Sequence, residues 1–265
     1  MQEHLYLDIE TIPAQRPDVL EEIRENKRAE LDAALGEIRP PGNYKKQETI
    51  DEWMATEAPK QAQAMRDAFE ADVDATYRKT GLDGAFGQVC VIGFAVDENQ
   101  PKALVVHNWQ DPQSEKGLLD RFIHAMACEI LPSSQRSICV VGHNVCGFDL
   151  RFLMQRHIVN GIRPHPIIRA AFQAKPWDVT VFDTMVQWGG AGAKQGGSLD
   201  KLCKALRIPS PKGDITGATV WDAVKAGRIV EVAEYCKRDV EAARAVHRRL
   251  TFQTATAELL EDVPA

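Results

Sequence analysis

The chain has 265 residues, 44% apolar and 26% charged, enough to bury one substantial core, and its length admits one domain or two. A net charge of −6 and a pI near 5.7 exclude a broad electrostatic grip on a polyanion, so such a ligand must meet local basic side chains or bound cations. Six scattered cysteines carry no metal or redox spacing and read as reduced core residues of a cytoplasmic protein. No apolar stretch approaches a membrane span, and the polar N-terminus lacks a secretory h-region.

The first strand is the apolar alternation Leu5-Tyr6-Leu7, which runs into Asp8-Ile9-Glu10. Pro13 and Pro17 break it, and residues 14–80 read as a charged, Ala-rich helical insertion. Leu20, Ile23, Lys27, Leu31, Leu35 and Ile38 mark one helical face, ended by Pro40-Pro41-Gly42. Thr49 and Glu52 fit a capping box for a second helix that Pro59 interrupts, and Met65, Phe69, Val73 and Tyr77 carry a further stripe up to Gly81. The plain expectation for the insertion is a helical flap packed on the sheet; the alternatives are a lid or a surface for a protein partner.

Strands are expected over 88–96 and 103–109, the former pairing with the first strand as a hairpin, then a helix over 118–130 and a fourth strand over 138–141. A helix over 150–159 ends at Asn160-Gly161, a fifth strand covers 179–182, and a helix over 233–249 closes the fold. The tail at 251–265 is polar and acidic enough to fray.

Asp8 and Glu10 stand at i and i+2 of a strand and share a face, where two buried carboxylates are costly unless a cation holds them. Tyr235 and Asp239 stand at i and i+4 of a helix and share a face as well. Asp149 sits where the fourth strand gives way to a helix, after Asn144 and Phe148, at the kind of strand exit where open α/β sheets bind ligands. Such an all-oxygen set suits Mg²⁺ or Mn²⁺ rather than zinc, and two such ions serve an in-line phosphodiester displacement. Without metal, mutual repulsion raises some of these carboxyl pKa values, so metal binding should stabilise the fold.

These residues, in this order, resemble the DEDD superfamily of 3′-to-5′ exonucleases, tyrosine subtype, since Tyr235 stands before the last Asp and residues 229–238 contain no His. Ser198 to Cys203, Lys212-Gly213-Asp214 and Tyr235 to Val240 are similar to the stand-alone predicted exonucleases related to the proofreading domain of family B DNA polymerases. The resemblance covers residues 1–12 and 86–250. It implies an α/β fold, a ribonuclease H-like mixed sheet flanked by helices, forming a single domain over 1–250 with the insertion after the first strand.

By the same resemblance, Asp8, Glu10 and Asp239 ligate one ion, Asp8 bridges to a second, and Asp149 holds that second ion. Tyr235 orients the attacking water. Thr11, Asn144 and Lys212 stand at positions that meet the substrate. The implied activity is two-metal removal of nucleotides from the 3′ end of single-stranded or frayed nucleic acid, DNA rather than RNA. An RNA-trimming exonuclease of the ribonuclease D kind and a noncatalytic nucleic-acid-binding scaffold are the alternatives.

Other features read as structural. The Gly-rich stretch 189–197 lacks the P-loop ending and is expected to be a mobile loop that could gate substrate. Lys201, Lys204 and Arg207 line the outer face of a short helix, and His143 and His157 lack ligand spacing.

Overall fold

The structure, a computed structural model, describes residues 2–130, 137–175, 177–190, 196–211 and 213–253. Strands β1 (Glu3–Ile12), β2 (Gln88–Val96), β3 (Lys102–Val105), β4 (Ile138–Gly142) and β5 (Val181–Asp183) form one mixed sheet in the order β3-β2-β1-β4-β5. The β1–β2 and β2–β3 pairs are antiparallel, whereas β1–β4 and β4–β5 are parallel, giving the ribonuclease H-like arrangement expected.

Period-two alternation gives the sheet two faces. Leu5, Leu7 and Ile9 of β1 enter the main core with α3 (Pro112–Glu129) and α4 (Asp149–Val159), where Phe94 meets Phe122 edge-on at 5.6 Å. On the opposite face Tyr6, Ala95, Cys139 and Val141 pack against Val240 of the long helix α9 (Ile229–Leu250). Small residues permit that close approach: a side chain on Gly93 of β2 would place its Cβ 2.6 Å from Cys236 Sγ. Shorter helices α5 (Pro166–Gln173), α6 (Thr184–Gly189), α7 (Leu199–Leu206) and α8 (Val220–Lys225) surround the C-terminal half.

The insertion is helical, as α1 (Pro17–Gly36) and α2 (Gln47–Lys79), but it differs from expectation in three ways. First, α2 starts at Gln47 with Lys46 as its N-cap and no side-chain cap, so the Thr49–Glu52 box does not form. Second, Pro59 lies inside an unbroken 33-residue helix; it is exposed, so water can satisfy the carbonyl it leaves free. Third, α1 and α2 pack on each other, with Arg24 bonding Glu70 at 2.9 and 3.0 Å, and of their residues only Val19, Trp53, Ala58 and Val73 are buried.

The root of the hairpin is stapled to β1. Tyr77 Oη donates to Ala14 O (2.8 Å), Ala14 N to Thr80 Oγ1 (2.9 Å), and Thr11 Oγ1 to Gly81 O (2.6 Å). Residues 17–79 hold ten Lys and Arg against fifteen Asp and Glu, so −5 of the chain's −6 lies on this arm.

Two strand limits also move. β3 stops at Val105, short of the expected 109: Val106 N still reaches Cys90 O, then the chain turns away so that Trp109 packs edge-on against Trp221 at 5.1 Å. β5 begins at Val181 and ends at Asp183, later than expected, because Asp183 caps α6. No helix among the described residues is long and apolar enough to cross a membrane.

Candidate metal centre

Asp8 and Glu10 lie on the α9 face of β1, opposite Gly93 and Val91 of β2. Parallel pairing with β4 ends at Tyr6–Val141, so the main-chain N–H of Ile9 extends past the neighbouring strand. Asp149, the first residue of α4, fills that position: its Oδ1 accepts from Ile9 N at 3.0 Å. A carboxylate at a helix N-terminus is favoured by the helix dipole, and here it is bound to the backbone of the residue between the two acids of β1.

The loop that delivers Asp149 is itself pinned. Asn144 sits in the left-handed region (φ 59°), which Asn tolerates better than most residues. The fully buried Asp183 accepts from Asn144 N and Cys146 N, both at 3.0 Å, and from Met185 N at the start of α6. Asp183 is therefore a positioning residue that sequence reasoning missed. Its only signal was an acid directly after an apolar strand and before Thr184.

From the other side, α9 presents Tyr235, Cys236 and Asp239. Cys236 Sγ lies 3.2 Å from Asp8 Oδ2 and 3.5 Å from Asp8 O, in the space left by Gly93. Ligand atoms of Asp8, Glu10 and Cys236 all lie within 4.8 Å of one another. Tyr235 hydrogen-bonds to Asp239, which holds the Asp239 pKa down against other influences.

Burial dominates the electrostatics of this cluster, with neighbouring charges next. Asp8 is driven well above the ordinary carboxyl range by desolvation and then by Glu10, Asp149 and Asp239. Glu10 is raised likewise by burial, Asp239 and Asp149. Burial raises Asp149 to about 8 despite the bond from Ile9, and Asp239 to about 6 despite Tyr235 and Arg238. The Tyr235 phenol is pushed far upward by burial and Asp239, so it remains a protonated donor at neutral pH.

Glu10 is the diagnostic member. It is 7% exposed, its backbone oxygen accepts from Cys90 Sγ, and its carboxylate accepts no hydrogen bond among the described residues. A buried carboxylate without a donor is several kcal/mol too costly to persist as an anion, so the group fits a divalent cation.

Of the residues expected in the centre, the four acids Asp8, Glu10, Asp149 and Asp239 lie within Coulombic range of one another, and Tyr235 within that of Asp8, Glu10 and Asp239; of these, only Asp8 and Glu10, with Cys236, bring ligand atoms within 4.8 Å of one another among the described residues. Thr11 differs: it points to the opposite side of β1 from Glu10, and its hydroxyl is engaged by Gly81 O. Asn144 serves through its backbone, in the Asp183-held loop. Lys212 lies outside the described residues, as do 191–195 of the Gly-rich stretch. His143 bonds Thr184 Oγ1 and Gly197 O, and His157 bonds Leu153 O, both structural uses.

A ribonuclease H-like sheet with clustered acids at the exit of its central strand is an exonuclease-like architecture. The chain belongs to the family of predicted 3′-5′ exonucleases related to the exonuclease domain of PolB, whose profile matches residues 82–261. Among solved structures it is similar to the family B DNA polymerase from the hyperthermophilic archaeon Pyrobaculum calidifontis, at 14% identity and a TM-score of 0.50. That match covers 95% of this chain and 25% of the polymerase chain, so the chain spans about a quarter of the polymerase's length, and the likeness concerns the fold alone. No curated protein matches the chain. Asp8 and Glu10 precede the segment matched by the family, and it is β1 that brings them to Asp149 and Asp239.

Proposed function

We propose that the protein is a metal-dependent 3′-to-5′ exonuclease that hydrolyses the terminal phosphodiester of single-stranded or frayed DNA with two divalent ions, Mg²⁺ or Mn²⁺. The observation that carries this reading is the donorless, buried Glu10 carboxylate, with Asp8 close by and Asp149 and Asp239 within Coulombic range. Asp8, Glu10 and Asp239 would hold one ion, with Asp8 shared by the second. Asp149, whose Oδ1 accepts from Ile9 N, would help to hold that second ion.

Bound divalent ions supply water activation and charge neutralisation in phosphodiester hydrolysis. Tyr235 would contribute a hydrogen bond that orients the attacking water; in the metal-free protein burial and Asp239 keep its phenol protonated at neutral pH. Asp183 and Ile9 N keep Asp149 in place. DNA is favoured because the family is related to a DNA polymerase's exonuclease domain. The acidic arm repels a polyanion, so substrate reaches the site from the nearly neutral body of the chain.

The test is digestion of 5′-labelled single-stranded DNA and matched RNA with Mg²⁺ or Mn²⁺. Stepwise shortening of the DNA from its 3′ end, stopped by chelation and faster than for RNA, is expected. Intact DNA under every metal condition refutes the proposal.

A further inference from the structure

Every acid of the centre but Glu10 is held by a donor: Asp149 by Ile9 N, Asp239 by Tyr235, and Asp8 by the thiol of Cys236. Among the described residues that thiol is the one donor to the Asp8 carboxylate. Cys236 is fully buried, and its Sγ lies 3.2 Å from Asp8 Oδ2 and 3.5 Å from Asp8 O. The single S–H hydrogen serves one of these at a time, and the carboxylate is the nearer.

The room for the sulfur comes from β2. Asp8 pairs with Gly93 across the β1–β2 ladder, and a Cβ at position 93 would stand 2.6 Å from Cys236 Sγ and 3.2 Å from Val240 Cγ2. A side chain there would push α9 away from the acids. The close approach that aims the thiol at Asp8 is therefore the one that brings Tyr235 and Asp239, on the same helix, to the strand. In the metal-free protein, burial and the neighbouring carboxylates push the thiol pKa well above its ordinary value, so the sulfur keeps its hydrogen.

We infer that Cys236 is a positioning residue of the metal centre: its thiol donates to Asp8 and holds that carboxylate for the ions proposed to share it. The inference rests on the metal-centre reading and deepens it, since Cys236 acts through Asp8 and not as a ligand. Hydrogen bonds that orient metal ligands are typically worth about 10–100-fold in affinity, and a thiol, as a weak donor, belongs at the lower end.

Two substitutions separate the hydrogen bond from packing. Cys236→Ala and Cys236→Ser both shrink the side chain, and the serine alone keeps a hydrogen to donate. Mn²⁺ affinity of the full-length protein, read from the electron paramagnetic resonance signal of free Mn²⁺, should fall about tenfold in Cys236→Ala and stay within about threefold of wild type in Cys236→Ser. Equal losses in the two variants, or an unchanged affinity in Cys236→Ala, overturn the inference.

The infrared S–H stretch reads the same bond without either cysteine variant. One band of the wild type should move to higher wavenumber in Asp8→Ala and should persist when Mg²⁺ is added. Identical bands in wild type and Asp8→Ala overturn the positioning role, as does a band lost on adding Mg²⁺, which would make the sulfur itself a ligand. Wild-type protein that binds no Mn²⁺ overturns this role and the metal-centre reading together. Protein that meets the affinity and infrared expectations yet leaves single-stranded DNA intact refutes the hydrolase reading and leaves the role of Cys236 standing.

Discussion

Asp8→Asn is expected to lower hydrolysis of single-stranded DNA by about three orders of magnitude while raising the melting temperature of the metal-free protein. The rate loss follows from removing the carboxylate proposed to be shared by both ions, an interaction of several kcal/mol in the transition state, with about 1.4 kcal/mol per factor of ten. The stability gain follows from repulsion: burial, Glu10, Asp149 and Asp239 all disfavour charge on Asp8, and an amide of the same shape removes that cost.

The pH dependence has a definite sign. An acid whose pKa is raised by folding holds a proton in the native state that the unfolded chain has released, so stability falls as pH rises from the ordinary value toward the raised one. Asp149, raised to about 8, carries this loss up to mildly alkaline pH, at up to about 1.4 kcal/mol per pH unit for each proton involved. Buried histidines act in the opposite direction. His143, His157 and His247 have lowered pKa values, the last about 4, and the stability they add as pH rises is complete only about one pH unit above the ordinary histidine value, near pH 7.5. The window from about pH 7.5 to 8 therefore reports the acids. Over it the metal-free wild type should lose stability, Mg²⁺ should restore it, and Asp8→Asn should flatten both responses in thermal melts; equal pH slopes and equal Mg²⁺ shifts in the two proteins would contradict the assignment.

Glu115→Ala should cost about 3–5 kcal/mol, a large share of the ~5–15 kcal/mol typical of a folded domain. Glu115 and Arg156 are 1% and 5% exposed and form a two-bonded pair at 2.8 and 2.6 Å. Glu115 also accepts from Val89 N and Asn160 Nδ2, both at 2.9 Å, and Arg156 donates to Gly84 O at 3.1 Å. The pair thus joins α3, α4, β2 and the turn that brings the chain back from the insertion. Alanine leaves a buried guanidinium without its counter-charge. Urea unfolding measures the loss, and a change below about 1 kcal/mol would show that the pair is not the tie described here.

The acids were legible because each sits in a periodic element: alternation on β1 put Asp8 and Glu10 on one face, and a helical turn joined Tyr235 to Asp239. What escaped depends on tertiary contact. Nothing local marks Cys236 as the neighbour of Asp8, because that contact needs the glycine at position 93, far away in sequence, to admit the helix. Asp183 reads as an ordinary cap until β4 and its loop come alongside. The Thr11 hydroxyl is claimed by Gly81 O, seventy residues on, a partner that only closure of the helical hairpin supplies. Pro59 breaks a helix on average, but an exposed position in a long one lets solvent take the free carbonyl.

Anomalous diffraction from crystals soaked in Mn²⁺ tests the metal-centre reading most directly. Two peaks roughly 3.5–4 Å apart, bounded by the carboxylates of Asp8, Glu10, Asp149 and Asp239, are predicted. Manganese bound elsewhere on the protein, with none between those four side chains, would contradict it.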